Sequence, residues 1–305
     1  MRGTDAVRML KLVIGIAWAT ACSLSFAAAQ EGCEPEIGCT ISGENGGTYH
    51  VAFPDDWDGK SQLVPFFFFH GHNGSGASVI ANRSLVNTVT GNGYALIAPD
   101  GPEFTFSNRT TRGWAARREP GAPRGGRDDI AFVERVLDDL KTRWSMKTQL
   151  SVMSGFSSGG SMAWYFGCYS SRPVGAIAAL AGGLRRPLPE GVQSQRGVCP
   201  GGPRRLIHIH GFADRQVPLE GRAIRSWHQG DVFEGLAVQR RTNGCVSRPS
   251  QMKIEGRLWC RSWIGCESDN AVRLCLHPGG HGTPKGWFSL VHDWVQQQEP
   301  YEPIQ

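Results

Sequence analysis

Beyond its first 29 residues the chain has no apolar run long enough to span a bilayer, which leaves the body of the sequence without a candidate membrane-spanning helix. It has no Cys-x-x-Cys pair and no matched His/Cys spacing, which argues against a zinc site. It has little excess charge of either sign. The 32 Lys and Arg against 27 Asp and Glu leave +5, too mild a balance for a nucleic-acid partner. No internal repeat, low-complexity linker or appended binding module interrupts it. These absences leave a globular chain whose 305 residues suffice for one large α/β domain with a full core.

What is present starts with a leader. Arg2, Arg8 and Lys11 precede a mostly apolar stretch, Leu12 to Phe26, and Ala27-Ala28-Ala29 offers small residues for cleavage. That pattern predicts a signal peptide over 1–29, cut before Gln30, and a single domain over 30–305 that is secreted or periplasmic. Cys22 raises a lipoprotein alternative, but Ala19-Thr20-Ala21 lacks the leucine usual in a lipobox. Cleavage removes three basic and one acidic residue, taking the net charge from +5 to +3. It also leaves eight cysteines, an even set that reads as up to four disulfides in an oxidising compartment. Cys33–Cys39 is the natural local pair and Cys168–Cys199 would tie a helix to a later loop. Spacing does not pair Cys245, Cys260, Cys266 and Cys275.

Periodicity predicts alternating strands and helices. A β-meander is expected over 39–57, with a turn at Gly46-Gly47. Leu63–Phe69 is wholly apolar, as a central buried strand is, and Tyr94–Ala98 is similar. Ile130, Val133, Val136, Leu137, Leu140 and Trp144 recur at helical spacing over 129–144. Gln149–Met153, Val174–Leu180, Arg205–Ile209 and Ala271–Leu276 read as further strands, and 287–297 as a last helix. Such alternation calls for a mostly parallel sheet with helices on both faces. Two long segments stand out. The loop 101–127 holds Arg109, Arg112, Arg117, Arg118, Arg124 and Arg127, either as solvated surface or as a basic wall favouring an anionic substrate. The segment 228–270, with Trp259 and Trp263, reads as a cross-linked flap over the site.

The chemistry centres on Gly155-Phe156-Ser157-Ser158-Gly159, between a predicted strand and a predicted apolar helix. A serine held between glycines at such a turn is a nucleophile elbow. A hydroxyl needs a base to take its proton, and the base needs an orienting carboxylate. Asp214 follows the strand ending His208-Ile209-His210-Gly211, and His281 follows the last strand in Pro278-Gly279-Gly280-His281. Order and position therefore nominate Ser157, Asp214 and His281. His277, His208 and His210 are rival bases, and Asp231 and Asp269 rival acids. The oxyanion would be met by the backbone N–H of Ser158 and by that of His72 in the loop after Phe69. His70 and His72 also suggest a metal, but their place in that loop accounts for them without one.

With the motifs His70-Gly71, Asp128-Asp129-Ile130-Ala131-Phe132, Gly155–Met162, His210–Asp214 with Val217-Pro218, and Gly279-Gly280-His281, the chain resembles a secreted esterase family. That family includes polyhydroxybutyrate depolymerases, feruloyl esterases and acetylxylan esterases, and the likeness spans residues 63–284. It implies an α/β-hydrolase fold, a Ser157–His281–Asp214 triad, no cofactor, and hydrolysis of small-molecule or oligomeric carboxylic esters of feruloyl, acetyl or hydroxyalkanoate type. It implies no nucleic-acid partner, and no membrane association once the leader is gone. One departure bears on specificity: where the family often has tryptophan then proline after the catalytic histidine, this chain has Thr283-Pro284. Trp114, Trp259 and Trp287 are the aromatics able to replace that wall, and Trp114 and Thr283 are the expected substrate-facing residues. Two other readings stay open here. One is a peptidase of the prolyl-oligopeptidase type, which Asp214–Pro218 also resembles; the other is a non-catalytic binding protein on the same scaffold.

Overall fold

The structure, a computed structural model, describes residues 32–34, 36–106, 108–114, 126–185, 197–224, 227–246, 248–249, 251–267 and 270–297. The expected leader at 1–29, Arg117, Arg118, Arg124 and Asp269 lie outside them. The chain opens with β1 (Cys33–Glu34), β2 (Gly38–Ile41), β3 (Gly47–Ala52) and β4 (Val64–Phe69). Helices α1 (Gly76–Ala81) and α2 (Arg83–Thr90) lead to β5 (Tyr94–Pro99), the hairpin β6 (Glu103–Phe106) and β7 (Arg109–Arg112), and α3 (Asp129–Trp144). Then come β8 (Val152–Phe156), α4 (Ser158–Tyr169), β9 (Ala176–Leu180), β10 (Leu206–Gly211) and the two-residue strands β11 (Ala223–Ile224) and β12 (Trp227–His228). The chain closes with α5 (Val232–Thr242), β13 (Gln251–Glu255), β14 (Leu258–Trp263), β15 (Val272–His277) and α6 (Trp287–Gln296).

One sheet of 11 strands organises the described residues, in the order β1-β2-β3-β5-β4-β8-β9-β10-β15-β14-β13. Pairing is parallel from β5 through β15 and antiparallel at both flanks. The apolar strands are explained by cover on both faces. Phe67 and Phe69 of β4 join Ile97, Phe132, Val136 and Trp164 on one side, while Phe66 joins Leu96, Val89, Phe288 and Val291 on the other. Alternate residues thus enter opposite cores, so a strand buried on both faces loses its polar positions. Helix α3 forms where expected. Asp128 caps it by accepting from Ile130 N–H and Ala131 N–H, and Ile130, Val133, Val136, Leu137 and Leu140 are buried.

Several expectations are corrected. The strand read at 149–153 begins only at Val152, because 148–150 form a short 3-10 turn, and it continues to Phe156 at the elbow. The segment 228–270 is no flap. It forms α5 and the β13–β14 hairpin, which extends the sheet past β15. Cross-strand pairing at that edge sets Cys260 opposite Cys275, and these are disulfide-bonded. The other disulfides are Cys33–Cys39, Cys168–Cys199 and Cys245–Cys266. Of the described arginines of 101–127, Arg109 is exposed on β7, while the other two are taken up by carboxylates. Arg112 pairs with Asp100 and Glu103, and Arg127 pairs with buried Asp129 and lies over the Phe132 ring. Among the described residues no helix is long and apolar enough to cross a membrane.

Candidate active site

Ser157 lies between β8 and α4 with φ 58 and ψ −118, a backbone region that L side chains rarely adopt. The turn is held by Ser157 N–H donating to Leu180 O at 2.9 Å. It is possible only because position 159 has no side chain: a Cβ there would lie 1.9 Å from Phe69 O. The result presents the hydroxyl beyond the carboxyl end of the parallel strands, where open α/β sheets bind their ligands.

Two loops converge on it. β10 and β15 are parallel neighbours, with Gly211 opposite His277, so their following loops leave the sheet side by side. The loops are stitched together by Phe212 N–H to His277 O at 2.7 Å and Ala213 N–H to Gly279 O at 3.0 Å. Asp214 and His281 thereby meet: Asp214 Oδ2 is 2.7 Å from His281 Nδ1, and His281 Nε2 is 2.9 Å from Ser157 Oγ. Asp214 Oδ1 accepts from Gln216 N–H at 2.8 Å and Val217 N–H at 2.9 Å. Burial alone would raise the Asp214 pKa. The Val217 N–H and the hydrogen bond and charge of His281 outweigh it, and the pKa lies below the ordinary value. The group is therefore an anion held for an imidazole.

The rival residues are otherwise engaged. His277 accepts from Gly279 N–H at its Nδ1, so its Nε2 carries the hydrogen and faces Gly282 O at 3.2 Å. It shapes the loop that bears His281 and has no free lone pair to act as base. Burial also lowers its pKa. His208 and His210 are fully buried on β10. Asp231 caps α5 by accepting from Glu234 N–H.

The loop after β4 passes beside Ser157; a Cβ on Gly71 would lie 3.7 Å from Ser157 Cβ. Among the described residues, neither the His72 N–H nor the Ser158 N–H at the start of α4 is taken by another group. His70 braces this loop. It accepts Gly101 N–H at Nε2 at 2.9 Å, which leaves Nδ1–H to donate to Gly71 O at 2.7 Å. Trp114 was expected to face substrate and does not. It is 3 % exposed, its indole N–H donates to His70 O at 2.8 Å, and its ring packs edge-on against Phe69. Its site is the core beneath the 70–74 loop. Asn73 N–H donates to Arg112 O, and Asn73 Oδ1 accepts from Thr111, so β7 braces the loop from outside.

A cavity of about 510 Å³ opens beside His72 and Phe156. Thr283 lines it together with Phe68, Leu85 and Trp287. The sequence does not assign Phe68, Phe156 or Leu85 to substrate: Phe68 reads as a strand residue, Phe156 as part of the elbow, and Leu85 lies on α2, which has only eight residues. The described residues hold no cluster of three or more His, Cys, Asp or Glu able to bind a metal ion.

No family model matches the chain. It is 24% identical over 260 residues to a probable feruloyl esterase C of Aspergillus niger, covering 84% of each chain. It is 23% identical over 251 residues to a feruloyl esterase D of Neurospora crassa, covering 76% of this chain and 73% of the other. Among solved structures it is similar to an acetyl xylan esterase from Aspergillus awamori, with TM-score 0.58, 13% identity, and coverage of 81% of this chain and 93% of that one. A Bacillus cereus carboxylesterase gives TM-score 0.52 at 12% identity, covering 82% and 93%.

Proposed function

We propose, for a chain that has the α/β-hydrolase fold and belongs to an esterase family of that type, that it is an exported serine esterase cleaving aromatic, feruloyl-type acyl esters. Hydrolysis of a carboxylic ester is the common activity of its named relatives. The serine mechanism rests on one observation, the unbroken line of contacts from Ser157 Oγ through His281 to Asp214. In this reading His281 Nε2 takes the Ser157 proton as Oγ attacks the ester carbonyl, and Asp214 steadies the imidazolium. The carbonyl electron pair moves to oxygen, which meets the N–H groups of Ser158 and His72. The tetrahedral adduct collapses, His281 returns the proton to the departing alkoxide, and an acyl-serine remains. Water, deprotonated by His281, repeats the sequence and releases the acid.

The aromatic acyl group is supported by the cavity. Its volume suits a small ligand, and Phe68, Phe156 and Trp287 give flat apolar faces for a phenyl ring. The named feruloyl esterases among the relatives agree with this choice. Export is supported by four disulfides, which persist in oxidising compartments. The test is a panel of methyl ferulate, acetylated xylan, hydroxybutyrate oligomers and p-nitrophenyl butyrate, run with the native protein and Ser157→Ala. Methyl ferulate is expected to give the highest kcat/KM, and Ser157→Ala to abolish turnover and fluorophosphonate labelling. Preference for acetylated xylan or the oligomers would overturn the acyl assignment. Retained turnover in Ser157→Ala would overturn the mechanism. N-terminal sequencing of the exported protein is expected to begin at Gln30.

A further inference from the structure

Behind Asp214, on the side away from His281, lies a row of polar groups that the proposed mechanism does not use. Trp164 of α4 places its indole nitrogen 3.0 Å from His208 Nδ1. His208 Nε2 is 2.9 Å from His210 Nδ1. His210 Nε2 is 2.8 Å from Val217 O and 3.3 Å from Asp214 Oδ2. His208 and His210 are two residues apart on β10, so both project from one face of the strand, the face that packs on Trp164. Trp164 is 1 % exposed, and both histidines 0 %.

The direction of every bond in this row is dictated by its ends. An indole nitrogen only donates, so His208 Nδ1 accepts and its hydrogen is on Nε2. His208 Nε2–H then donates to His210 Nδ1, which places the second hydrogen on His210 Nε2. That hydrogen meets a carbonyl and a carboxylate, both acceptors. Protonating either ring would set two donors against each other, and complete burial opposes the charge as well: desolvation pulls both histidines below their ordinary pKa, that of His208 furthest. The row is therefore neutral and polarised one way, from the core toward Asp214.

We propose that His210, its tautomer set by His208 and Trp164, is a positioning residue for Asp214. It clasps the turn 211–218 through Val217 O and turns its Nε2–H edge to the carboxylate oxygen that faces His281. The proposal rests on the triad reading and adds a residue to it. The other titratable and charged groups facing this cluster are His281 and, from the neighbouring strand β15, His277; Ser157 lies beyond His281. An N–H turned toward Oδ2 draws off part of the carboxylate charge. Without it more negative charge faces His281 and the ring is held less well in register, so both kcat and the acidic limb of the activity profile respond.

The test compares His210→Leu and His210→Gln in the full chain, with kcat, KM and the pH profile of kcat/KM on p-nitrophenyl butyrate. Gln carries an amide N–H at nearly the reach of Nε2; Leu carries none. His210→Leu is expected to lose about tenfold in kcat with KM within about twofold. Its acidic limb is expected to move up by about half a pH unit, and His210→Gln to recover most of both. An unmoved acidic limb in His210→Leu, or equal shifts in both variants, overturns the proposal. Should His210→Leu not fold, the nitrogen-15 spectrum of the unaltered protein decides. Both rings as neutral Nε2–H tautomers support the proposal, and an Nδ1–H at His210 overturns it. A Ser157→Ala variant that still turns over would sink the triad itself, whereas a dead Ser157→Ala beside an unmoved His210→Leu would sink only the role of His210.

Discussion

Gly159→Ala tests the packing that creates the elbow. The added methyl would stand 1.9 Å from Phe69 O, 2.4 Å from Phe69 C and 2.7 Å from His70 O. All three are backbone atoms at the end of β4, so no side chain can rotate out of the way. Reaching an ordinary contact of roughly 3 Å requires α4 and β4 to part by about 1 Å, and overpacking of this kind costs about 1–3 kcal/mol. A rigid obstacle places the expected value at the upper end. For a domain of this size each kcal/mol lowers Tm by about 2–4 °C, so the expected fall is about 6–12 °C. The end of β4 also leads into His70-Gly71-His72, and a shift of about 1 Å there would misplace the proposed oxyanion donor, at a loss of about a hundredfold in kcat. Thermal melts and p-nitrophenyl butyrate kinetics measure both. A Gly159→Ala protein within about 2 °C in Tm and about threefold in kcat would refute the reasoning.

Three further outcomes are expected. Trp114→Phe keeps the ring but leaves His70 O without its donor; stability should fall by about 1–2 kcal/mol and kcat by about tenfold, with little change in KM. Thr283→Trp should fill much of the cavity beside Phe156, cutting kcat/KM for methyl ferulate at least about tenfold while p-nitrophenyl acetate stays within about threefold; equal losses on both would count against the assignment of the cavity to the acyl ring. Asp214→Asn should lower kcat by about 10⁴, because an amide no longer holds the required imidazole tautomer. The same substitution reads out in stability. The folded-state pKa of Asp214 lies below its ordinary 3.8, so its charge stabilises the fold fully above that value and progressively less as pH falls through the folded pKa. Asp214→Asn should therefore lose stability at pH 7, with the gap to the native protein narrowing in acid melts as pH falls through the lowered folded-state pKa.

Sequence alone determined the features that depend on neighbours along the chain. The elbow glycines, the wholly apolar runs of β4 and β5, and the 129–144 helix with its Asp128 cap are local patterns read at period two or 3.6. The order of serine, aspartate and histidine, each after a strand, nominated the three residues that the structure links through His281, 2.7 Å from Asp214 and 2.9 Å from Ser157. Local pattern failed for α1 and α2, which are short and rich in Ser, Thr and Val and are held by packing of Val79, Ile80, Val86 and Val89 against the sheet.

Only the tertiary structure decided matters that turn on which strands lie side by side. Parallel pairing of β10 with β15 set His281, not His277, against Ser157, since the shared loop commits both His277 nitrogens to backbone groups. Antiparallel pairing of β14 with β15 joined Cys260 to Cys275, and so turned an expected flap into a sheet edge. Trp114 went to the core because its N–H found a carbonyl there and its ring found Phe69. Hydrophobic spacing carries no information on such partners. They lie 15 or more residues apart, and the contact that binds them exists only once the sheet has assembled.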